Sequence, residues 1–251
     1  MLTIRQEQMT AFEDAAMAGF EDAMVAHVQE HFPEHYEILG EPAVRKTIRL
    51  GIDRGAVHGF ITEHDLCLFI SLMFFLGSAF DEDPQLPWAA DTLDDVALRD
   101  PAEQSETLFD RAVDYIVAVA GEEGEHVRRA MASLREQPPL ERFQPPTGNF
   151  ESRAIHVLHA LWPEKCTRLG DDVLDVLVTA AVERARHHEL RGDRGPALCL
   201  VLMFMLGAGF DTDPQFPWIE QTLAERAPAP QDTRVDRLYE QSMAFLDKWL
   251  A

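Results

Sequence analysis

The sequence predicts an all-α fold built as two tandem homologous helical-bundle modules related by a pseudo-twofold. Three observations lead there: apolar residues recur at helical spacing, no stretch alternates convincingly at period two, and the second half repeats the first at a fixed shift of 130 residues. The repeat is loudest at Leu66 to Trp88, LCLFISLMFFLGSAFDEDPQLPW, which returns as LMFMLGAGFDTDPQFPW from Leu202 to Trp218. Between positions 72 and 93 the two halves share 14 identities in 22 places. The register holds without a gap from Phe20/Phe150 through Leu39-Gly40/Leu169-Gly170 to Trp88/Trp218. Register kept over that length indicates duplication of a whole module, and two copies suit a paired bundle better than a solenoid.

The elements follow in order. Met9, Phe12, Ala16, Phe20, Met24 and Val28 step by three and four along a long first helix that Pro33 ends. Val44, Ile48, Ile52 and Ala56 mark a second helix from about Gly40-Glu41 to Gly59. Thr62 offers an N-cap, and Glu63 and Asp65 early acids, to a third helix running to Gly77. Its lack of a polar face makes it the buried centre of its module. A short helix spans Trp88 to Leu93, and a fifth begins near Pro101 and reaches at least about Tyr115. Glu122 to Gln137 reads as helical, and Pro138 to Asn149 as a proline-punctuated connector. The second copy gives helices at Phe150–Leu161, Asp171–Leu190, Pro196–Gly207 and Val235–Leu250. The expected organisation is a first module over 1–121, a connector over 122–149 and a second module over 150–251.

Composition narrows the function. With 22 basic against 44 acidic residues the chain carries −22 at neutral pH, which repels nucleic-acid backbones and anionic membrane surfaces; the excess would attract a basic partner, though keeping the chain soluble is the simpler reading. Cys67, Cys166 and Cys199 cannot all pair within one chain and form no C-x-x-C, as in a reducing compartment. The N-terminal stretch has no signal-peptide pattern, and Leu66 to Phe80 is shorter than the roughly 17–25 residues that cross a bilayer. A cytoplasmic protein is expected.

Three groups of residues could carry chemistry. The first is the acidic turn, with Asp81 and Asp83 matched by Asp211 and Asp213 and closed by Trp88 and Trp218. Carboxylates two apart can hold a hard cation, but no glutamate follows to complete an EF-hand loop. The simpler reading is that they bond nearby backbone N–H groups and shape the turn. The second group is Arg54 and His58, matched by Arg184 and His188, i, i+4 pairs at the rim of the apolar stripe. We expect these arginines to hold the acidic turns of their own halves through Asp81 or Asp83 and Asp211 or Asp213. The third is His27 and His31 on the first helix, where Val157 and Leu161 stand in the second half. That spacing permits two-point metal binding with His35 as a third ligand, but the commoner reading is a partly buried aromatic filler, with an interface position next. No hydrolase, P-loop or dinucleotide signature is present, and the sequence calls for no cofactor.

On Phe32-Pro33-Glu34, Leu39-Gly40-Glu41 and the repeated Phe-Asp-x-Asp-Pro-x-x-Pro-Trp ends, the chain resembles a poorly characterised bacterial family of small helical proteins. Members are often encoded beside contact-dependent toxin or type VI secretion genes, and the resemblance covers nearly the whole chain as two copies. It implies an accessory, adaptor or immunity role and transfers no functional residue. The expected function is non-enzymatic capture of a basic partner, such as a toxin or secreted effector, on an acidic surface. A small-molecule or metal-dependent helical enzyme using His27, His31 and the Arg/His pairs is the alternative, and a purely structural homodimer a third.

Overall fold

Phe32 and Trp162 each precede a proline, and each proline opens a seven-residue helix that the apolar pattern alone does not announce. Proline fits the first turn because its missing N–H has no intrahelical acceptor there and its φ is already helical. The first of these short helices, α2 (Pro33–Leu39), follows α1 (Gln6–His31) and leads through Gly40 into α3 (Glu41–Val57). The chain continues through α4 (Glu63–Leu76), a 3-10 turn (Phe80–Glu82), α5 (Pro87–Leu93), α6 (Pro101–Ala120) and α7 (Glu125–Glu136). Then come α8 (Phe150–Leu161), α9 (Pro163–Leu169), α10 (Asp171–His187), α11 (Arg194–Leu206), α12 (Pro217–Ala224) and α13 (Asp232–Trp249). The computed structural model describes residues 6–137, 143, 149–190, 192–224 and 232–251, with side chains from 15 in α1 and from 234 in α13. Among them every regular element is helical and no strand occurs.

Several expected bounds shift. Helix α6 runs on to Ala120, α10 stops at His187, and α11 starts at Arg194 with Pro196 in its first turn. The connector over 138–149 lies outside the described residues except for Phe143, which is buried and stacks on Phe150 at 5.6 Å, and Asn149, which caps α8. In α1 the buried stripe is Phe20, Met24, Val25 and Val28, whereas Ala16 is exposed; the side chains of Met9 and Phe12 lie outside the described set.

Thr62 caps α4 by accepting from Asp65 N at 3.2 Å, and the buried Asp65 carboxylate accepts in turn from Thr62 Oγ1 and Ser105 Oγ. That network ties the start of α4 to α6 and leaves the apolar body of α4 between α3 and α6. Phe69 and Ile70 are at most 1% exposed, but Phe75 at the far end is 47% exposed, so α4 is central without being covered all round. Helix α11 packs in the same manner on α10. Close approach of α3 to α4 depends on Gly51, where an added Cβ would lie 2.5 Å from Ile70 Cγ1.

The buried side chains of both halves join in one hydrophobic cluster. Trp162, buried at the head of α9, donates its indole N–H to Val119 O of α6 at 2.7 Å, and α13 reaches back to α2 and α7. Helices α4 and α11 end against each other at Gly77 and Gly207, with φ of +95° and +99°. A Cβ at Gly77 would come within 2.7 Å of Leu206 O, so this crossing has room only for glycine.

Candidate functional site

Polar groups gather in four places, and the first two are closed on themselves. Arg54 sits one turn before the C-terminus of α3, where its side chain reaches the 3-10 turn. Its Nη2 lies 2.5 Å from Asp81 Oδ1, and His58 Nε2 lies 2.9 Å from Asp81 Oδ2. In the second half Arg184 Nη1 and His188 Nε2 hold Asp211 at 2.6 and 2.7 Å. Burial works against ionisation of both aspartates, but the His and Arg partners outweigh it and hold the carboxyls below their ordinary range. Both oxygens of each carboxylate are thus engaged by its own half.

Asp83 and Asp213 do something else. Each shapes its own turn by accepting from the amide of Gln85 or Gln215, at 2.8 and 2.9 Å. Each also crosses to the other half. Asp83 Oδ2 accepts from Ala208 N at 2.7 Å, while Asp213 accepts from Ser78 N at 2.8 Å and Ser78 Oγ at 2.6 Å. The glutamines cross in the same sense: Gln85 Nε2 donates to Met203 O and Gln215 Nε2 to Met73 O, both at 2.9 Å. Burial raises both carboxyls above their ordinary range, against the pull of these donors. The turns are a reciprocal clasp between the ends of α4 and α11, a role the sequence could not show because it depends on how the halves dock. Trp88 and Trp218 close the turns against Tyr115 and Phe245, each at 5.8 Å between rings.

The histidines of α1 do not converge with His35. His27 and His31 lie 4.5 Å apart, and His27 Nε2 is within 3.4 Å of Ser71 Oγ. Burial, then the neighbouring His31, lowers the His27 pKa. His35 turns instead to Phe75 and Trp249, at 5.7 and 4.7 Å, and burial pulls its pKa down to about 4. Among the described residues no group of three His, Cys, Asp or Glu side chains could hold a metal ion.

The third place is a half-open cleft of about 560 Å³ between the halves, lined by α2, α4, α6, α7, α9, α11 and α13. Apolar groups such as Phe75, Met131, Met205, Met243 and Trp249 line most of it. It also holds Lys165, which the sequence reading passed over. Lys165 is 8% exposed, donates to Phe204 O at 2.5 Å and lies about as close to the Trp162 and Phe204 rings as cation–π contact requires, at 5.1 and 4.8 Å. Burial lowers its pKa to about 8, although the Asp83 charge favours the ammonium. The signal lay in the repeat, because Lys165 stands 130 residues after His35 and Phe204 130 after Phe74.

The fourth place is the outer face of α6 with the loop before it. From Asp91 to Asp114 there are eight acids, Asp91, Asp94, Asp95, Asp100, Glu103, Glu106, Asp110 and Asp114, against Arg99 and Arg111. Arg111 is drawn to Thr92 Oγ1 at 2.8 Å. Glu103, Glu106, Asp110 and Asp114 repeat at three and four along the exposed side of the helix, which ends in Val113 and Val117, 41% and 45% exposed. On α1 and α3, by contrast, Glu21 is neutralised by Arg45 and Arg49 at 2.9 and 2.7 Å.

Compared with protein-family models, with curated proteins and with solved structures, the chain matches none. Among the described residues no helix is long and apolar enough to cross a membrane, and Cys67, Cys166 and Cys199 are free thiols.

Proposed function

We propose that this chain is a non-catalytic protein-binding protein of adaptor, chaperone or immunity type, which captures a basic partner on the acidic face of α6 and works in the cytoplasm. The observation that carries the reading is that face itself: acids on successive turns, little basic compensation, and exposed valines at its end. Acids in this arrangement speed the encounter with a basic surface, and the valines supply apolar area on contact. The Arg54/His58 and Arg184/His188 pairs, the groups an enzyme reading would use, are each committed to a buried aspartate. The family resemblance supplies the kind of partner, a toxin or secreted effector. We further infer that the molecule arose by duplication of one bundle, with modules over 1–121 and 150–251. Helix bounds recurring 130 residues apart and the reciprocal Asp83/Asp213 contacts support this.

The test is recovery of a complex from native lysate with wild-type protein and with a Glu103→Lys/Glu106→Lys/Asp110→Lys/Asp114→Lys variant. A control carries four reversals elsewhere, at Glu30, Glu37, Asp53 and Glu63. The reading expects a salt-sensitive complex with wild type and control that the α6 variant loses. Equal recovery by all three proteins would count against it.

A further inference from the structure

The cleft between the halves has a polar end that the proposed binding face leaves unexplained. Lys165, Tyr115 and Gln85, all buried, line it. The Lys165 ammonium has three donors and makes one hydrogen bond, to Phe204 O. The hydroxyl of Tyr115, a residue 3% exposed that lines the cleft, has no hydrogen-bond partner, and neither does Gln85 Oε1, which lines it too. Lys165 on α9 and Tyr115 on α6 both line the cleft, and α9 packs directly on α6. Asp83 does not satisfy them, since its oxygens are occupied by Ala208 N, Gln85 N and Gln85 Nε2.

Donors therefore outnumber free acceptors at this end: ammonium and phenol against a single amide oxygen. Buried donors without acceptors cost stability, and an ammonium costs most. The opposite end differs. At the position corresponding to Lys165 stands His35, packed by Phe32, Phe75 and Trp249 and held neutral. The cleft thus runs from a donor-rich end that holds an ammonium to a neutral aromatic one, with Met131, Met205 and Met243 among its walls. Methionines accommodate flexible apolar bodies without demanding one shape.

We propose that the cleft binds an elongated small molecule with an apolar body and a terminal carboxylate, whose head is received by Lys165 with Tyr115 as second donor. The volume, about 560 Å³, falls in the range of small-molecule sites. A carboxylate accepts two or more hydrogen bonds and neutralises the ammonium, which an alcohol or a cationic head cannot do.

Titration of the full chain with dodecanoate, dodecanol and dodecyltrimethylammonium below their micellar concentrations, followed by calorimetry and melting, tests this. Dodecanoate is expected to bind one per chain, to raise Tm, and to bind about tenfold more tightly than dodecanol. Lys165→Met is expected to abolish that preference while still binding dodecanol, and Tyr115→Phe to weaken dodecanoate several-fold. Failure of dodecanoate to saturate at one per chain overturns the proposal. So does wild-type protein that binds dodecanol or the cation as well as dodecanoate, a comparison that needs no variant to fold. An unchanged preference in Lys165→Met overturns it as well.

Discussion

At the scale of residues, buried charge with a partner and buried charge without one lead to opposite expectations. Asp81 is 5% exposed and depends on Arg54 and His58. Arg54→Met leaves that carboxylate half-served, and chemical denaturation should show a loss of about 3 kcal/mol. Asp81 and Asp211, held below their ordinary range, contribute stability that is present at neutral pH and lost as pH falls through their lowered values. His35 acts earlier on acidification. Its pKa is about 4 folded against 6.5 in the unfolded chain, so its contribution is complete above pH 6.5 and is lost as pH falls from 6.5 towards 4. Denaturation of His35→Gln at several pH values should show a flatter profile in that window, by on the order of 2 kcal/mol. The Arg54–Asp81 pairing was legible from an i, i+4 rim pair and a repeated acidic turn. Lys165 was not, because nothing local marks a lysine as buried until its helix packs on α6 and its ammonium reaches Phe204 O.

At the scale of elements, periodicity located the long helices and Pro87 the short α5, while α2, α9 and α12 were not announced. Met24, Val28, Val44, Ile48 and Ile52 are buried as their spacing requires. Helices α2 and α9 are too short to show a period, and Pro33, which the sequence offers as a stop, occupies the first turn of a new helix, as Pro163 does in the second half. The acidic turns were legible as turns, through their aspartates and prolines, but their second set of partners belongs to the other half. Gly77 and Gly207 end α4 and α11 at positive φ where the two backbones meet. Gly77→Ala combines a left-handed alanine with a Cβ 2.7 Å from Leu206 O. It should lower stability by about 2–4 kcal/mol in a thermal melt, whereas Gly19→Ala, with nothing within 4 Å of the added atom, should not.

At the scale of the whole molecule, one apolar cluster and the reciprocal aspartates bind the halves together, and the acids remain for the outside. The all-α fold class was legible because apolar spacing is written along the chain. The cleft was not, since it exists only between elements far apart in sequence. The account rests on the α6 face as a capture surface, and the affinity of the recovered partner for it, measured at about 50 and 300 mM salt, tests that most directly. The account predicts binding that weakens with salt, and at least about tenfold weaker binding by the Glu103/Glu106/Asp110/Asp114 reversal variant at the lower salt, with the control reversal unaffected. Equal affinity of wild type and the α6 variant at the lower salt would contradict it.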